Sequence, residues 1–134
     1  MKNPDKYFIA RYAAQLVRDV YPFLRTLPRS EQFNLESQMR RSVTSIDDNI
    51  REGASRSTDR AELVFLSYAL GSAGELYGQL RKARDLGLGE PLQAKQLYRR
   101  TGRLLVMITR LMATKQSAVS RPSSRPNARR IRRT

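Results

Sequence analysis

Apolar side chains recur at intervals of three and four along nearly the whole chain, and no stretch alternates with the period of two that a half-buried strand requires. Ile9, Tyr12, Ala13, Leu16, Val17, Val20, Leu24 and Leu27 mark a first helix over about 5–26, with Pro22 expected to kink it or loosen its last turn. Met39, Val43, Ile46 and Ile50 mark a second over 35–54, with Asn34 as its N-cap and an end near Gly53. A third runs over 58–86, capped by Ser57 or Thr58, with Asp59 favoured in its first turn by the helix dipole. The stretch "GLGEP" closes it and opens a fourth over 91–116, with Pro91 at a tolerated first-turn position. Four long helices joined by short loops predict an all-α, antiparallel up-down four-helix bundle over 1–116. Residues 117–134 are rich in Ser, Pro and Arg with almost nothing to bury, which predicts a disordered basic tail.

The third helix carries an unusual surface. Phe65, Leu66, Ala69, Leu70, Ala73, Leu76, Tyr77 and Leu80 make an apolar arc of close to half the circumference. Beside it Ser67, Gly71, Gly74 and Gly78 form a ridge of very small residues. Each glycine inside a helix costs about 1 kcal/mol relative to alanine. Close approach of another backbone would offset this. That backbone could belong to the same chain or to another subunit, and a wide apolar arc favours an oligomer.

Charge changes the picture next. Residues 1–90 hold 14 Lys/Arg against 12 Asp/Glu, whereas residues 91–134 hold 12 Lys/Arg and no acid. Such segregation points to a polyanionic partner, nucleic acid ahead of a membrane surface, with a solubilising tail as the plain alternative. Arginine outnumbers lysine 21 to 5, which suits bidentate phosphate contact. On the fourth helix, Arg99, Arg103 and Arg110 project together opposite the core side, with Arg100 nearby. The expected phosphate-binding set is these four with Lys115 and the tail residues Arg121, Arg125, Arg129, Arg130, Arg132 and Arg133.

Composition excludes several chemistries. The chain has no cysteine and no histidine, so thiolate chemistry, a Ser-His-Asp arrangement and most zinc sites are ruled out. There is no run of eighteen apolar residues and no secretory-signal pattern at the N-terminus, which predicts a cytoplasmic protein outside the membrane.

Along the second helix and just past it, Gln38, Arg41, Ser45, Asn49, Glu52 and Arg56 form a polar stripe that touches the apolar one. An active site, a binding site and a buried polar seam would all read this way. Asp47 and Asp48 point about 100° apart on a helix. No organised nucleophile, phosphate loop or cofactor motif accompanies Glu52 or Glu75, so no enzyme, cofactor or metal is expected. The expectation is a structural seam completed by Ser72 and Glu75 of the third helix, with Arg41 and Glu75 as an ion pair.

The stretches "QMRRSVTSIDDNIREGASRS" and "FLSYALGSAGELYGQL" also resemble the S23-like family, bacterial four-helix bundles first named for proteins encoded in 23S rRNA intervening sequences. The match falls on Gln38, Arg41, Ser42, Ser45, Ile46, Asn49, Ile50, Glu52 and Gly53, and then on Phe65, Leu66, Ala69, Gly71, Ser72, Glu75 and Leu76. It departs at Asp47–Asp48, where the family often has small or proline residues, and in the long basic tail. The resemblance implies a ring-like homopentamer. It also brings in a related group, the accessory variability proteins of diversity-generating retroelements, which bind nucleic acid and a reverse transcriptase. The expected function is therefore a non-enzymatic, oligomeric, nucleic-acid-binding bundle. The alternative is an oligomeric protein-interaction scaffold without nucleic-acid function.

Overall fold

The computed structural model describes residues 4–121. Four helices follow one another, α1 (Pro4–Leu24), α2 (Leu35–Ala54), α3 (Asp59–Leu86) and α4 (Pro91–Ser120), with a single 3-10 turn at Arg29–Glu31. Each helix packs on the next, and α4 returns to α1, which closes a four-sided up-down bundle. The core is one cluster to which every helix contributes: Leu16, Val20 and Phe23 from α1, Met39, Val43 and Ile46 from α2, Leu66, Leu76 and Leu80 from α3, Leu104 and Ile108 from α4. Burying one such side chain is worth about 1.5–3 kcal/mol, so these interlocking stripes dominate stability.

The helix boundaries have local causes. Pro22 leaves α1 helical to Leu24, after which Arg25, Thr26 and Leu27 bond back three residues, as a last turn loosened by proline should. Thr58 Oγ1 accepts from the Ala61 N–H, the capping bond expected for α3. Gly87, at φ 66°, ends α3, and the Leu88 N–H reaches the Ala83 carbonyl at 2.8 Å. The Glu90 carboxylate accepts from the N–H groups of Leu92 and Gln93, capping α4. The backbone N–H of Glu90 donates to Thr26 Oγ1 at 2.9 Å, tying the two loops at this end together. Gly89 sits beneath them at φ 78°, where a Cβ would stand 2.8 Å from the Phe23 ring.

Three expectations need correction. Asn34 holds the N-cap position of α2 but its side chain makes no capping bond; it donates to Glu31 and accepts from Gln38 instead. Helix α4 does not stop at residue 116 but continues through Ser120, because nothing before Pro122 obstructs it. Arg121, next to that proline, turns to an extended ψ of 131°. The tail's later arginines, Arg125, Arg129, Arg130, Arg132 and Arg133, lie outside the described residues.

The third correction concerns Gly71, Gly74 and Gly78. A Cβ built on any of them meets nothing within 4 Å, so they do not bring helices of this chain together. The close approaches fall elsewhere. A Cβ at Gly53 would stand 3.1 Å from that of Phe65, and one at Gly102 would stand 3.1 Å from the Tyr77 ring.

Candidate functional sites

The polar stripe on α2 forms a real seam, but a shorter one than its sequence suggests. The Ser45 and Ser72 hydroxyls lie 2.8 Å apart across the α2–α3 contact. The Asn49 amide donates to the Ser45 carbonyl at 2.8 Å and to its hydroxyl at 3.1 Å. These three are partly buried and answer one another. Gln38 bonds to Asn34, and Glu52 turns outward to pair with Arg56 one turn on. Arg41 and Glu75 are both exposed, and no salt bridge joins them among the described residues. The predicted ion pair is therefore absent within the chain, because both side chains project outward from the border of the core.

Outside this seam runs a groove of about 680 Å³ between α2 and α3. Arg41, Ser42 and Ser45 line one side, and Gly74, Glu75, Gly78 and Gln79 line the other. The glycines leave its α3 wall low. The Gln79 Oε1 atom is buried there without a hydrogen-bond partner. Val64 and Tyr68, at 46% and 57% exposure, stand on the same outer side of α3.

Helix α4 presents the second candidate site. Arg99, Arg103 and Arg110 are exposed and fall within about 40° of one another around the helix. None has a carboxylate partner among the described residues. Two members of the predicted set are engaged otherwise. Arg100 is half-buried and paired with Asp19 of α1 at 2.8 Å. Lys115 is buried, with its ammonium 2.9 Å from Glu62 and 3.1 Å from Asp59. It is a structural cation and is withdrawn from the phosphate-binding set.

Glu62 and Lys115 form a cluster that the sequence analysis missed. They sit at the bundle end where α1 and α3 begin, and Lys6 completes the group at 3.4 Å from Glu62. Burial by itself lowers the Lys115 pKa, but hydrogen bonds to Glu62 and Asp59 outweigh it and hold the ammonium above the ordinary 10.5. A signal was present. Glu62 continues the core stripe of Leu66, Ala69 and Ala73, and Lys115 continues that of Leu104, Ile108 and Leu111. A charge on a core stripe implies a partner.

On this geometry the protein is an all-α up-down bundle with a polar seam and an arginine row, and it offers no enclosed cavity of catalytic type among the described residues. No group of three or more acidic residues gathers to hold a metal ion there, and no described helix is long and apolar enough to cross a membrane. The sequence model of the family described as "23S rRNA-intervening sequence protein" matches residues 6–110. The chain belongs to that family. A crystal structure of a protein of unknown function from the S23 ribosomal protein family of Bacteroides thetaiotaomicron VPI-5482 superposes with a TM-score of 0.71, at 19% identity, over 81% of this chain and 98% of that one. At that identity the likeness concerns the fold. No curated protein matches the chain.

Proposed function

We propose that the protein is a non-enzymatic, self-assembling cytoplasmic bundle that binds the phosphate backbone of nucleic acid through α4 and its basic C-terminal extension. One observation carries this reading: Arg99, Arg103 and Arg110 share an outward face of a helix that contains no acid. Like charges one turn apart, such as Arg99 and Arg103, destabilise a helix by about 0.2–0.5 kcal/mol, so the row works against folding until an anion meets it. Self-assembly is supported by the low α3 wall. Three exposed-side glycines are unfavourable in an isolated chain, and a second copy seated against them would offset that cost. The family resemblance points to five copies. Its most specific form is an accessory role for a diversity-generating reverse transcriptase, with RNA or cDNA as the ligand.

The test is titration against RNA, single-stranded DNA and duplex DNA at several salt concentrations. Changing Arg99, Arg103 and Arg110 to Gln removes three phosphate contacts and should weaken binding about 100-fold at 0.1 M salt. A chain ended at Arg121 should keep its fold and show a flatter salt dependence. Absence of binding by the full chain at low salt defeats the nucleic-acid reading. The α3 groove then favours the second reading, an oligomeric protein-interaction scaffold.

A further inference from the structure

We infer that α1 supplies a second row of phosphate contacts, and that the α1–α4 face is shaped for a double-helical nucleic acid. This rests on the nucleic-acid reading above and extends it to residues of α1. Arg11, Arg18 and Arg25 recur every seven residues, and all three are exposed. A seven-residue step returns to within about 20° of the same direction, so Arg11 and Arg18 share one side of α1, and Arg25, just past its end, continues the line. That side lies opposite Ala13, Leu16 and Val20, which are buried. None of the three has a carboxylate partner among the described residues.

Contacts between the helices set the two rows side by side. Asp19 pairs with Arg100 at 2.8 Å, and the Tyr12 hydroxyl donates to the Arg100 carbonyl at 2.9 Å. Nearer the other end, Phe8 and Ile9 share a pocket with Met107 and Arg110. The antiparallel register therefore places Arg18 level with Arg99 and Arg100, and Arg11 level with the span from Arg103 to Arg110. Helix α4 carries no acid and α1 carries Asp5 and Asp19, of which Asp19 is occupied by Arg100 and Gln15.

Two rows suit two strands. Packed helices lie about 8–10 Å apart, between the roughly 6 Å and 12 Å widths of the grooves of duplex DNA. Arg11 to Arg25 spans about 21 Å along the axis, roughly six base steps of about 3.4 Å each. One strand would follow a single row and leave the other idle, whereas the two phosphate strands flanking a groove engage both. Arginine forks on phosphates supply the affinity, and the face offers no pattern for reading bases, so recognition follows duplex shape and charge.

The experiment uses the full chain and the triple variant Arg11→Gln, Arg18→Gln, Arg25→Gln. Both are titrated with one labelled sequence as a duplex and as a single strand, at several salt concentrations. These side chains are exposed, so the variant should melt as the parent does. The parent should prefer the duplex, and the variant should lose about 100-fold in duplex affinity at 0.1 M salt, with a log–log slope flatter by about 2.7. Its single-strand affinity should fall far less. A parent that binds duplex while the variant binds it equally well, with the same slope, overturns the α1 row and leaves the α4 reading standing. Equal losses on duplex and single strand overturn the double-helical assignment. A parent that ignores both nucleic acids but binds vesicles containing phosphatidylserine overturns the whole reading in favour of a membrane surface.

Discussion

On α2 and just past its end, every arginine but Arg41 meets an acid one turn away: Arg40 pairs with Glu36 at 2.6 Å, Arg51 with Asp48 at 2.7 Å and Asp47 at 3.3 Å, and Arg56 with Glu52. Along α1 and α4 the exposed arginines meet none among the described residues. Helices α2 and α3 together carry seven Lys/Arg against eight acids, whereas α1 and α4 carry nine against two. Both halves need to be soluble, and the α2–α3 half shows how little that requires. Pairs one turn apart neutralise a helix surface and add a few tenths of a kcal/mol each. The α1–α4 half forgoes that option at every exposed arginine. Solubility alone does not call for such a row, and the proposed polyanionic partner would give it a use. The polar work of the other half is turned inward, where Ser45, Ser72 and Asn49 fix how α2 meets α3.

Lys115 is the sharpest exception, a cation of the basic half that belongs to the structure. Lys115→Met should strand Glu62, which is buried, with only Lys6 left beside it. The expected loss is about 3 kcal/mol, near the lower end for a broken buried pair because the cluster lies at the bundle's end. Denaturant unfolding measures it. Nucleic-acid affinity of the folded variant should stay within about twofold of the parent, since no phosphate contact is removed. A variant as stable as the parent but weak in binding would return Lys115 to the phosphate-binding set. The pH dependence has a definite sign. A lysine whose folded pKa lies above its unfolded value adds stability that is fully present below the unfolded value. The parent's advantage over Lys115→Met should therefore hold to about pH 10.5 and fade as pH rises through the raised folded value.

How much of this could be read in the sequence depends on how far each feature reaches along the chain. The period of the apolar residues, the Thr58 cap, the Gly87 stop and the Pro91 start are local, and each stands where its chemistry predicts. Lys115 and Glu62 are 53 positions apart, and a window that sees either one alone reads an ordinary surface charge. The glycines show the same limit. What a glycine admits depends on which neighbour covers it, so Gly53 and Gly102 take the tight helix contacts while Gly71, Gly74 and Gly78 open outward. In the seam the pattern of the stripe was legible, but its depth was not. Ser45 and Asn49 turn in far enough to bond, and Arg41 and Glu52, with longer side chains, reach water. The α1 row escaped notice because Asp5, Lys6 and Asp19 make that helix look balanced, and Asp19's partner lies on α4.

The α3 glycines give the next test of whether the α2–α3 half is finished within one chain. Gly74→Ala places a methyl group where nothing stands within 4 Å, so the isolated fold should gain about 1 kcal/mol from helix propensity. If a second copy seats against this wall, the same methyl group intrudes on it. The mass from light scattering should then fall toward that of one chain, with urea stability of the separated chain raised. Higher stability with an unchanged mass would make the wall free surface and remove the main support for assembly through α3.

The smallest effect is expected at Glu75, and its smallness is informative. A Glu75 joined to Arg41 in a buried site would leave a stranded cation on mutation, at a cost of about 3–5 kcal/mol. The two residues instead face each other across an open groove, both exposed and without a salt bridge between them. Water then solvates each charge separately, and Glu75→Ala should change the stability of the single chain by no more than about 0.5 kcal/mol. Ser72→Ala, three residues earlier, should cost more, about 1 kcal/mol, because the Ser45 hydroxyl loses its partner in a partly buried contact. Urea unfolding of both variants at low protein concentration ranks them, and the order Ser72 above Glu75 is the expected result. The reverse order would mean that Arg41 and Glu75 close on each other in solution. If Glu75→Ala leaves the single chain unchanged but lowers the assembled mass, the two groove charges act between copies, and the α2–α3 half is an interface built from the residues that the chain leaves unpaired.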